Sequence, residues 1–330
     1  MPRQFLASLG IVAAALVTFT LAAVVVGGRV QTTDTGTHRT PWGDPDLQGV
    51  WTNATRTPLE RPEEYGSEQR LSSSQLREQE EGAARNLANE SPVRAGNPGT
   101  YNAFWRDPVR PTGQTSLIVD PPNGRIPPLT SAAAARREAL APYVDADVAD
   151  GPMDRPFFER CIGRGWPRVG GTYQSTYQIF QSPGYVVLVA EMVNERHVIP
   201  LDGRPHVNIR QWMGDARGRW ENDTLVVETV NFPDTPNTLL AGVQGLNYPL
   251  SYLGGSAKDL RLIERFRRID VDTLDYHFTI DDPTTFTQSW TVRMPMRPAQ
   301  GMYEYACHEG NYGIVNILRG RRVEEVATGR

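Results

Sequence analysis

Lysine is almost missing from this 330-residue chain: Lys258 is the only one, and every other basic side chain except histidine is arginine. That skew reads as coding bias and carries no mechanism. Runs of like charge are missing too, and the formal net charge is −4, so no nucleic-acid partner is expected. The chain lacks a G-x-S-x-G elbow, which argues against a Ser–His–Asp hydrolase; Gly254-Gly255-Ser256 reads as a turn. It lacks a His-x-x-x-His pair, and His197, His206, His277 and His308 fit no recognised ligand spacing, so no metal is expected. No strand–helix–strand series occurs. Gly163-Arg164-Gly165 is too short for a phosphate loop, and no helix follows the Gly214 to Gly218 turn, so no cofactor is expected either.

What is present begins at the N-terminus. Arg3 is followed by an uncharged, largely apolar run from Phe5 to Gly28. A positive start before an apolar run is the pattern of a secretory signal. The run is also long enough to span a bilayer, which takes roughly 20 apolar residues, so membrane anchoring through residues 5–28 is the rival reading. Residues 1–31 are therefore expected to be a signal peptide or anchor, and the folded part to be exported, periplasmic or secreted. Only two cysteines occur, Cys161 and Cys307. In an oxidising compartment an even count favours a disulfide. Closing so long a loop would contribute roughly 4–5 kcal/mol. Two separate buried thiols are the alternative.

Residues 32–160 are polar and rich in Pro and Gly, as in Asp120-Pro121-Pro122-Asn123-Gly124. This composition predicts a wrapping arm of turns and extended segments. One or two short helices interrupt it, near Ser73 to Asn89 and near Ser131 to Tyr143, with Ser73 or Ser74 and Ser131 as their N-caps. Residues 161–330 change character. Short segments such as Tyr177–Gln181, Tyr185–Val193, Arg196–Leu201, Ile209–Met213, Thr224–Phe232, Leu260–Ile269, Thr273–Ile280, Thr287–Met294 and Met302–Cys307 are separated by turn residues. Leu274, Tyr276, Phe278 and Ile280 alternate with Asp275, His277 and Thr279. One apolar and one polar face per strand predicts a mainly β fold, an antiparallel lipocalin-like barrel or a sandwich.

Two long motifs stand out, Arg210-Gln211-Trp212-Met213-Gly214-Asp215-Ala216-Arg217-Gly218-Arg219-Trp220-Glu221-Asn222-Asp223-Thr224-Leu225-Val226-Val227-Glu228-Thr229 and Tyr303-Glu304-Tyr305-Ala306-Cys307-His308-Glu309-Gly310-Asn311-Tyr312. With Pro45-Asp46-Leu47-Gln48-Gly49-Val50-Trp51-Thr52-Asn53, they resemble an uncharacterised family of exported bacterial proteins. The resemblance covers most of the chain from Trp42 onward. It assigns no residue a catalytic role, and the likeness to lipocalin-like barrels is one of architecture alone.

His308 is the leading chemical candidate, because imidazole titrates near neutrality. If its segment is extended, Glu304 and His308 share one face and Cys307 and Glu309 the other. Glu191 interrupts the apolar run Tyr185 to Val193; buried there, it would be expected to become a weaker acid. Its bland alternative is a strand-end pair with Arg196. Glu228 invites the same reasoning with less weight. Most of the aromatic residues, Trp166, Tyr173 and Tyr177 among them, read as core. A hollow interior would place Tyr185, Trp212, Trp290, Tyr303 and Tyr305 around an apolar or aromatic ligand, with Arg210 or Arg293 on its polar end. The long segment Asp234 to Ala257 reads as a lid, with a disordered loop as the alternative. Three functions follow. One is a binder of a small apolar or aromatic molecule; a second is a lyase, isomerase or hydrolase using His308 with Glu191, Glu304 or Glu309; the third is a structural envelope protein. Convergence of His308 and Glu191 on a cavity would favour the enzyme, and a filled interior the structural role.

Overall fold

The computed structural model describes residues 38–88, 106–107, 109, 111–145, 150–155, 157–163, 166–233 and 258–329. The N-terminal apolar run and the segment read as a lid, residues 234–257, lie outside the described residues.

Eleven strands and three α-helices follow one another as β1 (Gly49–Thr52), α1 (Ser73–Ala88), β2 (Ile118–Asp120), α2 (Ser131–Asp145), β3 (Thr176–Ser182), β4 (Tyr185–Ala190), β5 (Arg196–Pro200), β6 (Asp215–Glu221), β7 (Thr224–Val230), β8 (Arg261–Asp270), β9 (Thr273–Asp281), β10 (Trp290–Arg293), β11 (Arg297–Pro298) and α3 (Tyr312–Thr328) among the described residues. The fold is mainly β. One sheet runs β11-β1-β3-β4-β5 and the other β2-β10-β9-β8-β7-β6, with every ladder antiparallel.

The alternation read in β9 is the alternation of burial: Leu274, Tyr276, Phe278 and Ile280 are buried and the residues between them are not. Hairpins form where the backbone tolerates a left-handed turn. Gly184 (φ 79°) lies between β3 and β4, and Asn222 (φ 56°) between β6 and β7. The longest motif is thus mostly one hairpin, β6 to β7. Its Gly214 has φ 72°, and a Cβ there would lie 2.6 Å from Thr229 Cγ2 and 2.8 Å from the Val230 carbonyl oxygen. The Pro45 to Asn53 motif seats β1: Trp51 Nε1 donates to the Leu47 carbonyl (2.9 Å), and the Leu47 N–H to Gln181 Oε1 (2.6 Å).

The two sheets meet along one ribbon. After β10, Met294 and Met296 donate their N–H groups to the carbonyls of Tyr276 and Leu274, each at 2.8 Å. The same ribbon then becomes β11, pairing Arg297 with Thr52 and Pro298 with Trp51. On the far side β5 packs on β6: a Cβ on Gly218 would lie 2.7 Å from Ile199 Cγ2. Among the described residues no ladder joins β5 to β6, and a closed barrel is not found. Between the sheets lies a core of buried side chains. Trp290, Phe278, Leu225, Leu188 and Ile199 are buried there, each such side chain stabilising by roughly 1.5–3 kcal/mol.

The N-terminal region contributes to both sheets, β1 to one and β2 to the other, and buries Leu47, Trp51, Leu117 and Ile118. The helix starts differ from the expected serines. Ser72 caps α1, exchanging hydrogen bonds with Gln75 in a capping box (2.7 and 3.3 Å). Thr130 Oγ1 accepts the Ala133 N–H at the start of α2 (3.2 Å). Ile209–Met213 and Met302–Cys307 are not strands, and the expected Gly214 to Gly218 turn is, after Gly214, the first part of β6, where Gly218 lets β5 pack closely. The α3 helix was not foreseen, because two glycines dilute its apolar pattern.

Candidate functional site

The expected disulfide is present: Cys161 and Cys307 are bonded across 146 residues. It brings the segment around Tyr303 to Asn311 against residues 157–163. Asn311 Nδ2 donates to the Glu159 carbonyl at 3.0 Å and reaches Cys161 Sγ at 3.2 Å. Beside the bond lies a cleft of about 390 Å³ lined by Phe158, Glu159, Glu304, Tyr305, Ala306, Cys307, Glu309, Gly310, Asn311, Gly313, Ile314 and Ile317. Ile314 and Ile317 stand one turn apart on α3 and so face the same way. The described lining holds three carboxylates and no basic side chain. Glu159 is already engaged by Arg155 Nε at 2.7 Å; Glu304 and Glu309 are exposed.

Glu304, Glu309, Tyr305 and Cys307 therefore come together, but not by strand alternation. The segment turns, with the Glu309 N–H on the Ala306 carbonyl (3.2 Å), so the period-two pairing of Glu304 with His308 does not apply. His308 is exposed and is not part of the cleft lining. Glu191 is buried. Its Oε1 accepts the Tyr303 N–H at 2.9 Å, a backbone contact in place of the expected Arg196 pair. Tyr303 itself is 79 % exposed.

The remaining residues expected around a ligand are dispersed. Trp290 is core, edge-on to Phe278 and Phe286. Trp212 meets Phe157 edge-on at 4.8 Å, and Tyr185 lies on the surface under Arg204. Arg210 donates to the carbonyls of Phe232 (2.7 Å) and Lys258 (3.3 Å). Arg293 and His277 both hold Asp275 (2.8 and 3.0 Å). Glu228 bonds Arg261 at 2.6 Å, and that guanidinium holds its carboxyl below the usual range. This is the reverse of the weakened acid anticipated there. Among the described residues no group of three or more His, Cys, Asp or Glu side chains could hold a metal ion.

A second constellation escaped sequence reasoning. Glu264, on β8, is fully buried. Its carboxyl accepts the Tyr276 hydroxyl at Oε1 (2.6 Å) and the Trp166 indole N–H at Oε2 (2.9 Å). Burial pushes its pKa up to about 7, although both hydrogen bonds favour the anion. The Trp166 ring stacks on His197 (4.2 Å, 18°) and meets Tyr177 edge-on (5.8 Å, 78°). His197 is only 3 % exposed, and neither ring nitrogen has a hydrogen-bond partner among the described residues. Desolvation lowers its pKa to about 3. The signal was available. Leu262, Glu264 and Phe266 share a strand face by spacing, the same pattern that drew attention to Glu191.

No family model, curated protein or solved structure matches this chain.

Proposed function

We propose that this is an exported protein that binds a small apolar or aromatic molecule in the cleft beside the Cys161–Cys307 disulfide. The observation carrying this reading is the cleft itself. Its volume of about 390 Å³ lies within the range of small-molecule sites, roughly 300–1,000 Å³. Phe158, Tyr305, Ile314 and Ile317 offer an apolar wall, and Glu304 and Glu309 stand at its polar side. With no basic group in the described lining, the cleft favours neutral or cationic ligands over anions. The N-terminal apolar run and the disulfide support export.

In this reading the ligand lies outside the sheets, since buried apolar side chains lie between them. A hollow of the lipocalin kind is not part of the reading. The same packing supports the structural envelope role as the second reading. Catalysis by His308 has less support, since its side chain is outside the cleft lining and Glu191 is engaged by Tyr303.

Titration with 1-naphthylmethanol, 1-naphthylmethylamine and 1-naphthoate, followed by ligand-detected NMR, tests the proposal. The alcohol and the amine should bind saturably and the carboxylate about tenfold more weakly, a difference of about 1.4 kcal/mol. Ile317→Trp should fill the cleft and abolish binding without altering the far-UV spectrum. Failure of all three compounds to bind, or binding indifferent to Ile317→Trp, would remove the cleft from consideration and leave the structural role.

A further inference from the structure

The core around Trp166 is built in a way that packing alone does not require. An apolar side chain of similar volume would fill the position of Glu264 without desolvating a carboxyl group. Its described hydrogen-bond partners are two donors, the Tyr276 hydroxyl and the Trp166 indole N–H. His197 adds a buried ring whose two nitrogens lack partners among the described residues. Around the indole, these groups make a complete set for recognising a planar ring: an acceptor for a donor at its edge, a parallel ring on one face, and a perpendicular ring beside it.

We propose that the space filled by Trp166 between the sheets is a cryptic binding site for a planar aromatic compound bearing one hydrogen-bond donor, an indole or a phenol, with the chain's own indole as its resident occupant. The groups that would hold the compound come from regular strands: Glu264 from β8, Tyr276 from β9, Tyr177 from β3 and His197 from β5. The occupant does not. Trp166 belongs to the connection between the disulfide and β3, outside both sheets. Its withdrawal leaves every ladder intact, which is the condition for a pocket that a ligand opens by shifting populations. The site is separate from the disulfide cleft, whose described lining shares none of these residues.

The test is titration of the full chain with indole, 4-methylphenol and toluene, read by ligand-detected NMR and by the ring resonances of His197, assigned through His197→Phe. Indole and 4-methylphenol should bind saturably and move those resonances. Toluene, which has no donor, should bind about tenfold more weakly. Trp166→Ala removes the competing occupant and should tighten indole binding about tenfold or more. Glu264→Leu should erase the preference for indole over toluene. If Trp166→Ala does not fold, the unsubstituted chain and Glu264→Leu still decide. The proposal is overturned if the unsubstituted chain binds neither donor compound, or if toluene binds as well as indole. It is also overturned if Ile317→Trp in the cleft suppresses the indole response; indole binding unchanged by that substitution supports the separate interior site whatever the fate of the cleft.

Discussion

Strand β9 and helix α3 show two ways of holding a segment in place. In β9 every second residue is buried between the sheets. In α3 none of the described residues is buried; Ile314, Ile317 and Leu318 are only partly covered. The strand is held by the exclusion of water from one face. The helix is held at its start, where Asn311 and Cys307 tie the preceding turn to Glu159 and Cys161, and more loosely near its end, where Arg322 donates to the Asp150 carbonyl at 3.3 Å. Position in the first region follows from periodicity; in the second it follows from a covalent bond to a residue 146 positions away. A residue's chemistry can be judged from its spacing in one region and not in the other.

Removing the disulfide is the sharpest way to break this contrast. Cys161→Ala with Cys307→Ala should lower stability by up to roughly 5 kcal/mol in denaturant titrations, as expected for so long a closed loop. Trypsin should then cut first at Arg319, Arg321 and Arg322 while the sheet signal in the far-UV spectrum persists. Protection of those sites equal to that of the parent chain would mean that α3 holds itself. In the sheet core, Phe278→Ala should cost about 4 kcal/mol, with cooperative loss of the whole β signal and no selective cleavage of α3.

The buried pair gives a pH dependence with opposite limbs. Glu264 has its folded pKa raised to about 7, so the folded chain keeps a proton that the unfolded chain releases. Stability therefore falls as pH rises from about 4.5 to 7, by roughly 3 kcal/mol, and levels off above. His197 has its folded pKa lowered to about 3, so the unfolded chain takes up a proton that the folded one refuses. Stability therefore falls as pH drops from about 6.5 to 3. The two trends oppose each other between about pH 4.5 and 6.5. Glu264→Leu should remove the loss on the alkaline side, and His197→Phe the loss on the acid side, in thermal melts across pH 3 to 8. The smallest effect is expected at the half-covered helix: Leu318→Ala should cost less than about 1 kcal/mol, against the several for Phe278→Ala.

Strand alternation made β9 legible, since a period of two places a whole set of side chains on one face, whereas the glycines of Gly214 to Gly218 read as a turn and hid the start of β6. Alternation made Glu264 legible in principle, two residues from Leu262 and two from Phe266. The same rule misled at Tyr303 to Asn311, where a turn replaces the strand and separates Glu304 from His308. Helix α3 was hidden for a related reason. Its apolar residues do not face a deep core, so the pattern that marks an amphipathic helix is weak, and Gly313 and Gly320 weaken it further. The aromatic residues were conspicuous, but composition does not say which rings meet. Trp290 went to the core, Trp212 to the surface, and Trp166 to a position that touches groups from both sheets.

From the order of its residues alone, this chain was bound to be mainly β, with paired antiparallel strands and a cysteine pair suited to bonding, because alternation and turn chemistry act over a few residues. Which carboxylate would be sealed in, which ring would lie against it, and where a cleft would open were decided by the packing of the two sheets and the cross-link between distant segments. Desolvation and enclosure are properties of a neighbourhood assembled from remote parts of the chain, and no local pattern encodes them.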